Sequence, residues 1–136
     1  MLLGAFLPGE DFKIYHSLAG EADSGRVTLL TAPHCFLEAG TGLLRAVRRS
    51  RLTEGLANEA WSTLGLIRLA VVPFPERDAL FTLALREQLS LYDAAYLGAA
   101  IDHQAQLATA DKALASAARR HGLLWAETAN DALTGS

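Results

Sequence analysis

Residues 90–122, SLYDAAYLGAAIDHQAQLATADKALASAARRHG, decide the fold of this chain of 136 residues. Small and apolar residues recur at helical spacing up to position 102, and residues 106–109 form a short, mostly apolar run typical of a buried strand. A second helical pattern follows Asp111 and ends at Gly122, a residue type common just past a helix end. The stretch predicts helix, strand and helix, with Asp93 and Asp111 each at the start of a helix.

The two aspartates have two interpretations. In a parallel sheet a strand delivers the residues after it to the carboxyl edge, where ligands bind. An acid in a first turn also suits the helix dipole, typically by about 0.3–1 kcal/mol at exposed sites. Ser90 with Asp93 fits a capping box, and Thr109 or Asp111 can cap the last helix. From these residues alone, capping is the commoner role for either aspartate.

Strand and helix patterns alternate along the rest of the chain, which predicts an α/β fold with a parallel sheet. The predicted strands are residues 27–31, 71–74, 107–109 and 123–126. Residues 11–19 show the apolar spacing of a short helix. We expect one domain over residues 1–127 and a loose tail at residues 128–136.

Composition limits the function classes. The net charge of −3 argues against a protein that coats nucleic acid by bulk charge, although it permits a local basic site. No apolar run approaches the ~18 residues of a membrane span, and the apolar start lacks the basic leader of a signal peptide. Cys35 is the single cysteine, so an internal disulfide is excluded and a reducing cytoplasm is the expected setting.

Two strings, LYDAAYLGAA at 91–100 and LATADKAL at 107–114, resemble the C-terminal half of PIN-domain nucleases, especially the VapC-type toxins of bacterial toxin–antitoxin pairs. The string TAPHCFLEAGTGLLRAVRRSRL at 31–52 resembles that family's second motif block, in which a glutamate follows a strand. The resemblance implies a three-layer α/β/α fold with strand order 3-2-1-4-5. It places Glu38, Asp93 and Asp111 together as catalytic metal ligands, with Thr109 as a supporting hydroxyl.

The activity that the resemblance implies is a metal-dependent endoribonuclease that uses Mg²⁺ or Mn²⁺. Crowded carboxylates raise one another's pKa unless a cation neutralises them, and Mg²⁺ suits a site that leaves it several waters. A deprotonated metal-bound water can then attack a phosphodiester. The implied partners are structured RNA, a VapB-like antitoxin and a second copy of the chain. Without the resemblance, Glu38 reads as a neighbour of Arg45 on a solvated helix face.

Four arginines follow Glu38 on or just beyond the same predicted helix. They have two interpretations of about equal weight, a solvated face without function or a grip on RNA phosphates, to which Lys112, Arg119 and Arg120 can add. The four histidines lack metal-ligand spacing and are expected to be surface or core residues. The arginines are Arg45, Arg48, Arg49 and Arg51, and the histidines are His16, His34, His103 and His121.

The start of the chain departs from the family pattern, in which the first strand ends in an aspartate. Residues 1–10, MLLGAFLPGE, match only the part after that aspartate. This predicts that the central strand and its acid are missing, with a gap or distortion between the strands at Val27 and Leu107. A start codon assigned too late explains this, and so does a truncated chain that pairs with a partner's strand.

Two functions from different classes remain open. The first is the VapC-like enzyme, and the second is a catalytically inactive PIN-fold remnant that binds antitoxin or RNA. A phosphorylatable receiver-like domain also has acids at strand ends. It would need paired acids after its first strand and a lysine at the end of a late strand, and the sequence has neither.

Overall fold

The protein is described by a computed structural model over residues 2–6, 20, 23–25 and 27–125. The helix expected at residues 11–19 and the tail expected at residues 128–136 lie outside the described residues. Four strands are present: β1 Leu2–Phe6, β2 Thr28–Thr31, β3 Ala70–Val71 and β4 Gln106–Ala108. Five helices are described: α1 Cys35–Arg48, α2 Glu54–Leu66, α3 Arg77–Glu87, α4 Leu91–Asp102 and α5 Lys112–Arg120.

The strands form one parallel sheet in the order β3-β2-β1-β4. Beyond β4, Leu124 forms a parallel bridge with Leu107. Two backbone bonds support it, because Leu107 donates to the Leu123 carbonyl at 2.6 Å and Trp125 donates to the Leu107 carbonyl at 2.9 Å. The chain therefore crosses the sheet in the order 3-2-1-4-5 that the resemblance implies.

The prediction that the central strand is missing is wrong. β1 fills that position, with Leu2 opposite Thr28 of β2 and Leu3 opposite Gln106 of β4. An uncharged apolar run suits a strand covered on both faces, and without it the inner edges of both neighbours would lose their ladder bonds. The expected gap between the strands at Val27 and Leu107 is therefore absent among the described residues, although the pairing of β1 with β4 has a register irregularity between Leu3 and Phe6.

The sheet is packed on both faces, which makes three layers. Successive residues of β4 face opposite ways, as side chains of a strand do. Leu107 packs among residues of α4 and α5, including Leu97 and Leu114, whereas Ala108 packs among residues of α1 and α2, including Ala39 and Leu64. The predicted α/β/α architecture is confirmed.

Helix α4 is buried over residues 94–100, and its small side chains allow neighbours on several sides to approach closely. At Gly98 an added Cβ would lie 2.7 Å from Cγ of Pro75, so any larger residue would push the segment before α3 away. Close packing fixes α4, and with it Asp93 in its first turn. In the described part of the chain, none of the helices has the length and apolar character that a membrane crossing requires.

Candidate active site

Three acidic side chains lie at the starts of helices, and two of these helices directly follow parallel strands. Glu38 is in the first turn of α1, which follows β2, and Asp93 is in the first turn of α4. Asp111 immediately precedes α5 and follows β4. Because the carboxyl ends of parallel strands lie at one edge of a sheet, α1 and α5 begin at the same edge.

The other two acids both influence the pKa of Asp93. Partial burial raises this pKa most, and the negative charges of Asp111 and Glu38 raise it further. A hydrogen bond with Ser90 and the charge of His34 lower it by less. The fold therefore brings into one electrostatic neighbourhood three acids that are far apart in sequence.

Asp111 is the N-cap of α5, as one of the two interpretations predicts. Its Oδ1 accepts a hydrogen bond from the Leu114 backbone N–H at 2.8 Å. The buried hydroxyl of Thr109 accepts from the Asp111 N–H at 3.0 Å, so Thr109 fixes the backbone that presents the carboxylate. Capping occupies one carboxylate oxygen, and the other is available to a cation or its water. Capping and ligation are therefore compatible at Asp111.

Ser90 caps α4 as predicted, because its hydroxyl accepts from the Asp93 backbone N–H at 3.1 Å. This bond uses the backbone of Asp93, and a hydrogen bond of the Asp93 side chain with Ser90 in addition lowers the pKa of the carboxyl. The Asp93 side chain is half-buried, which explains why desolvation is the main cause of its raised pKa.

His34 is a site residue that the sequence interpretation missed. It was expected to be a surface or core residue, and it is in the core, with 5% of its surface exposed. Its Nε2 lies 2.9 Å from the Tyr92 carbonyl oxygen and 3.1 Å from Oε1 of Glu38. The spacing of His34 and Glu38, four residues apart at the start of a helix, was the signal that could have found this contact.

Glu38 has a buried oxygen that the protein does not satisfy well. Its Oε1 has no aligned hydrogen bond among the described residues, although His34 Nε2 is 3.1 Å away. The Nε2 hydrogen is directed to the Tyr92 carbonyl, which can only accept, and this explains the poor alignment. A poorly satisfied carboxylate beside two other acids is a site where a cation would be stabilising.

This donor set fits a hydrated divalent cation. Among the described residues, no group of three or more His, Cys, Asp and Glu side chains has the arrangement needed to hold a metal ion directly. Mg²⁺ requires fewer protein ligands, because it binds through one or two carboxylates and keeps several of its waters. Glu38, Asp93 and Asp111 are the residues that would hold it.

The four arginines are exposed, at the end of α1 opposite to Glu38 and just beyond it. Arg48 lies ten residues after Glu38, which is roughly 15 Å along the helix axis at 1.5 Å per residue. The cluster is therefore not in the acidic site itself. Arg120, expected to extend the basic surface, instead donates to Glu87 Oε2 through Nε at 3.0 Å and Nη2 at 2.6 Å.

Comparison with known proteins identifies the family and the fold of the chain. The sequence matches the family described as "PIN domain" over residues 5–120, a range that includes all three acids, Thr109 and His34. The structure is similar to the crystal structure of PAE2754 from Pyrobaculum aerophilum, with a TM-score of 0.66 and 22% sequence identity over 100% of both chains. At that identity the likeness shows the fold alone. No curated protein matches the sequence.

Proposed function

Because the chain belongs to the PIN domain family, whose members are generally metal-dependent nucleases, we propose that it is a VapC-like toxin that cleaves structured RNA. In this proposal Glu38, Asp93 and Asp111 hold a Mg²⁺ or Mn²⁺ ion at the carboxyl edge of the sheet. The observation that carries the proposal is the match to the PIN domain family over residues 5–120, a range that contains all three acids. The raised pKa of Asp93, to which burial contributes most and the charges of Asp111 and Glu38 contribute further, supports it, since perturbed pKa values cluster at functional sites.

The three acids of the proposed site are carried by three different helices or helix starts. A bound cation would supply an activated water and stabilise the charge that develops on the phosphate. Glu38 and Asp93 would hold it from α1 and α4, and Asp111 would hold it from the start of α5, where Thr109 accepts a hydrogen bond from its backbone N–H. Carboxylates on three packed elements fix the ion relative to the RNA backbone better than a single loop would.

The exposed arginines would bind the part of an RNA substrate that lies outside the acidic site. Arg45 and Arg48 lie roughly 10 and 15 Å along α1 from Glu38, and Arg49 and Arg51 lie just beyond the helix, so they would contact phosphates away from the cleaved bond. The proposed protein partners are a VapB-like antitoxin, which would cover the acids, and a second copy of the chain. The proposed setting is the cytoplasm, where a single thiol stays reduced.

The test is RNA cleavage by the purified chain with Mn²⁺, with chelator as the negative control. We expect Asp93→Asn to lower the cleavage rate at least roughly 100-fold, since loss of even a residue behind a metal ligand costs 10–100-fold. Asp102→Asn is the matched control, because Asp102 is exposed at the opposite end of the same helix. Full activity in Asp93→Asn would remove Asp93 from the site.

A second function is favoured by one specific feature. Neither β1, Leu2–Phe6, nor the Leu7 and Pro8 that follow contains an acid, whereas the family places an aspartate at the end of this strand. A PIN-fold protein without this ligand could bind RNA or antitoxin and fail to cleave. Retarded RNA migration in a gel, without cleavage in Mn²⁺ at any concentration tested, would establish this function in place of the nuclease.

A further inference from the structure

His34 connects the two helices that carry Glu38 and Asp93. It lies immediately before α1, and its Nε2 reaches the carbonyl oxygen of Tyr92 in the first turn of α4 at 2.9 Å. The same nitrogen lies 3.1 Å from Glu38 Oε1. Tyr92 directly precedes Asp93, so one imidazole group contacts a proposed ligand from one helix and the backbone beside a proposed ligand from the other.

The His34 ring is held in one orientation by its surroundings. Its centroid lies 4.3 Å from that of Tyr96, 5.5 Å from that of Phe74 and 5.7 Å from that of Tyr92. Its other nitrogen, Nδ1, is buried and lacks a hydrogen-bond partner among the described residues. Only Nε2 therefore faces polar groups, and a ring flip would bury a carbon against the Tyr92 carbonyl.

The assignment of the Nε2 proton follows from these partners. A carbonyl oxygen and a carboxylate oxygen can only accept, so the nitrogen between them must carry the hydrogen. The hydrogen is shared unequally, because the Tyr92 bond is well aligned and the Glu38 contact is not. The Nε2 hydrogen is also near Oε1 of Glu38, at an N···O distance of 3.1 Å without an aligned hydrogen bond, so the interaction between the two groups is chiefly electrostatic.

We propose that His34 is a positioning residue that sets the Glu38 carboxylate relative to Asp93 and thereby determines the affinity of the site for a divalent cation. The inference rests on the proposed function, because it assumes that these acids hold a cation. Groups that lie behind metal-binding side chains and orient them commonly matter in this way, and their loss typically costs 10–100-fold in metal affinity or activity. A purely structural role for His34 would change stability and leave cation affinity unchanged.

Two substitutions separate the ring of His34 from its donor. His34→Phe keeps an aromatic ring among Phe74, Tyr92 and Tyr96 and removes the donor. His34→Gln removes the ring but keeps an N–H donor, since the Nε2 atoms of Gln and His are both three bonds from Cβ. His103→Phe is the matched control, because His103 is exposed at the far end of α4.

The decisive measurement is the Mn²⁺ dissociation constant of each full-length variant by titration calorimetry. We expect His34→Phe to weaken Mn²⁺ binding about 10-fold or more. We expect His34→Gln to remain within about 3-fold of wild type despite a lower Tm, and His103→Phe to be unchanged. Equal affinity in His34→Phe and wild type, or equal weakening in both His34 variants, would overturn the proposal.

A second measurement distinguishes failure of this inference from failure of the proposed function. If wild type binds no Mn²⁺, the metal site is wrong, whereas the link between His34 and Glu38 is still measurable in metal-free buffer. We expect the Tm change of the double variant His34→Phe with Glu38→Gln to differ from the sum of the single changes by at least about 2 °C. Additive changes would show that His34 does not position Glu38.

Discussion

The charge on Asp93 opposes folding when no cation is bound. Burial, and then the charges of Asp111 and Glu38, raise the pKa of this carboxyl above its ordinary value of 3.8. The folded protein therefore holds the proton more tightly than the unfolded chain does. By linkage, the stability of the folded state falls as pH rises through the raised pKa.

The fall in stability with rising pH leads to a prediction for Asp93→Asn. In chelator at pH 7 we expect the variant to have a higher Tm than wild type, because the amide removes the repulsion and keeps the shape of the side chain. The difference should narrow as pH falls toward 3.8, the ordinary pKa, where wild-type Asp93 also becomes neutral. Thermal unfolding at several pH values tests this, and a lower Tm for Asp93→Asn at pH 7 would contradict it.

Helix α5 begins with a residue that has two roles, and these can be separated. Asp111→Asn keeps an oxygen for the Leu114 N–H and removes the charge, whereas Asp111→Ala removes both. We expect Asp111→Asn to have the same Tm as wild type and a weaker affinity for Mn²⁺. We expect Asp111→Ala to lose affinity and, in addition, about 1 kcal/mol of stability through the missing cap. Calorimetry and thermal unfolding together test the pair, and a strong Mn²⁺ site in Asp111→Asn would leave Asp111 as a cap alone.

The ends of α3 and α5 are joined by Glu87, whose side chain is 8% exposed. Hydrogen bonds from Arg120 and His121 lower the pKa of Glu87 below its ordinary value of 4.5. The stabilisation of the folded state by these hydrogen bonds is therefore present above pH 4.5 and is lost as pH falls through the lowered pKa. This link holds α5 at its C-terminal end, away from Asp111.

We expect Glu87→Gln to lower the free energy of unfolding by about 1 kcal/mol at pH 7, which is the upper end of the range for a partly exposed ion pair. The difference in Tm from wild type should shrink progressively below pH 4.5 and disappear as pH falls through the lowered pKa, where Glu87 of the folded wild type becomes protonated. Glu59→Gln, at an exposed position of α2, serves as the control. A difference that does not change with pH would mean that Glu87 contributes through packing rather than charge.

For the whole molecule, local rules predicted much of the fold. Alternating patterns predicted the parallel α/β architecture, and Ser90 and Asp111 were identifiable as caps because a cap depends only on residues three or four positions away. The role of β1 was not predictable in the same way. A seven-residue apolar run fits a buried strand, and it also fits the turn and helix that follow the first strand of the resembling family.

The site was predictable only in part, for a related reason. Glu38, Asp93 and Asp111 were selected by resemblance to a family, since each alone has the pattern of an ordinary helix start. Their mutual effect on the Asp93 pKa depends on how α1, α4 and α5 pack, which no local pattern encodes. The contact of His34 with the Tyr92 carbonyl joins residues 58 positions apart and was equally invisible.

The last prediction joins the site to the stability of the whole domain. A cation that binds the folded chain and not the unfolded one stabilises it by RT ln(1 + [L]/Kd), which is about 1.4 kcal/mol at ten times Kd. For a domain of this size we expect Mn²⁺ at that concentration to raise the Tm by roughly 4 °C. The rise should be larger at pH 7 than near pH 4, because protonated carboxyl groups do not bind the ion. Asp93→Asn should have a higher Tm than wild type in chelator and gain little from Mn²⁺. The difference in Tm between the two proteins should therefore narrow or reverse when the metal is added. An equal rise in both proteins would place the bound Mn²⁺ elsewhere on the surface and leave the repulsion at Asp93 without a functional explanation.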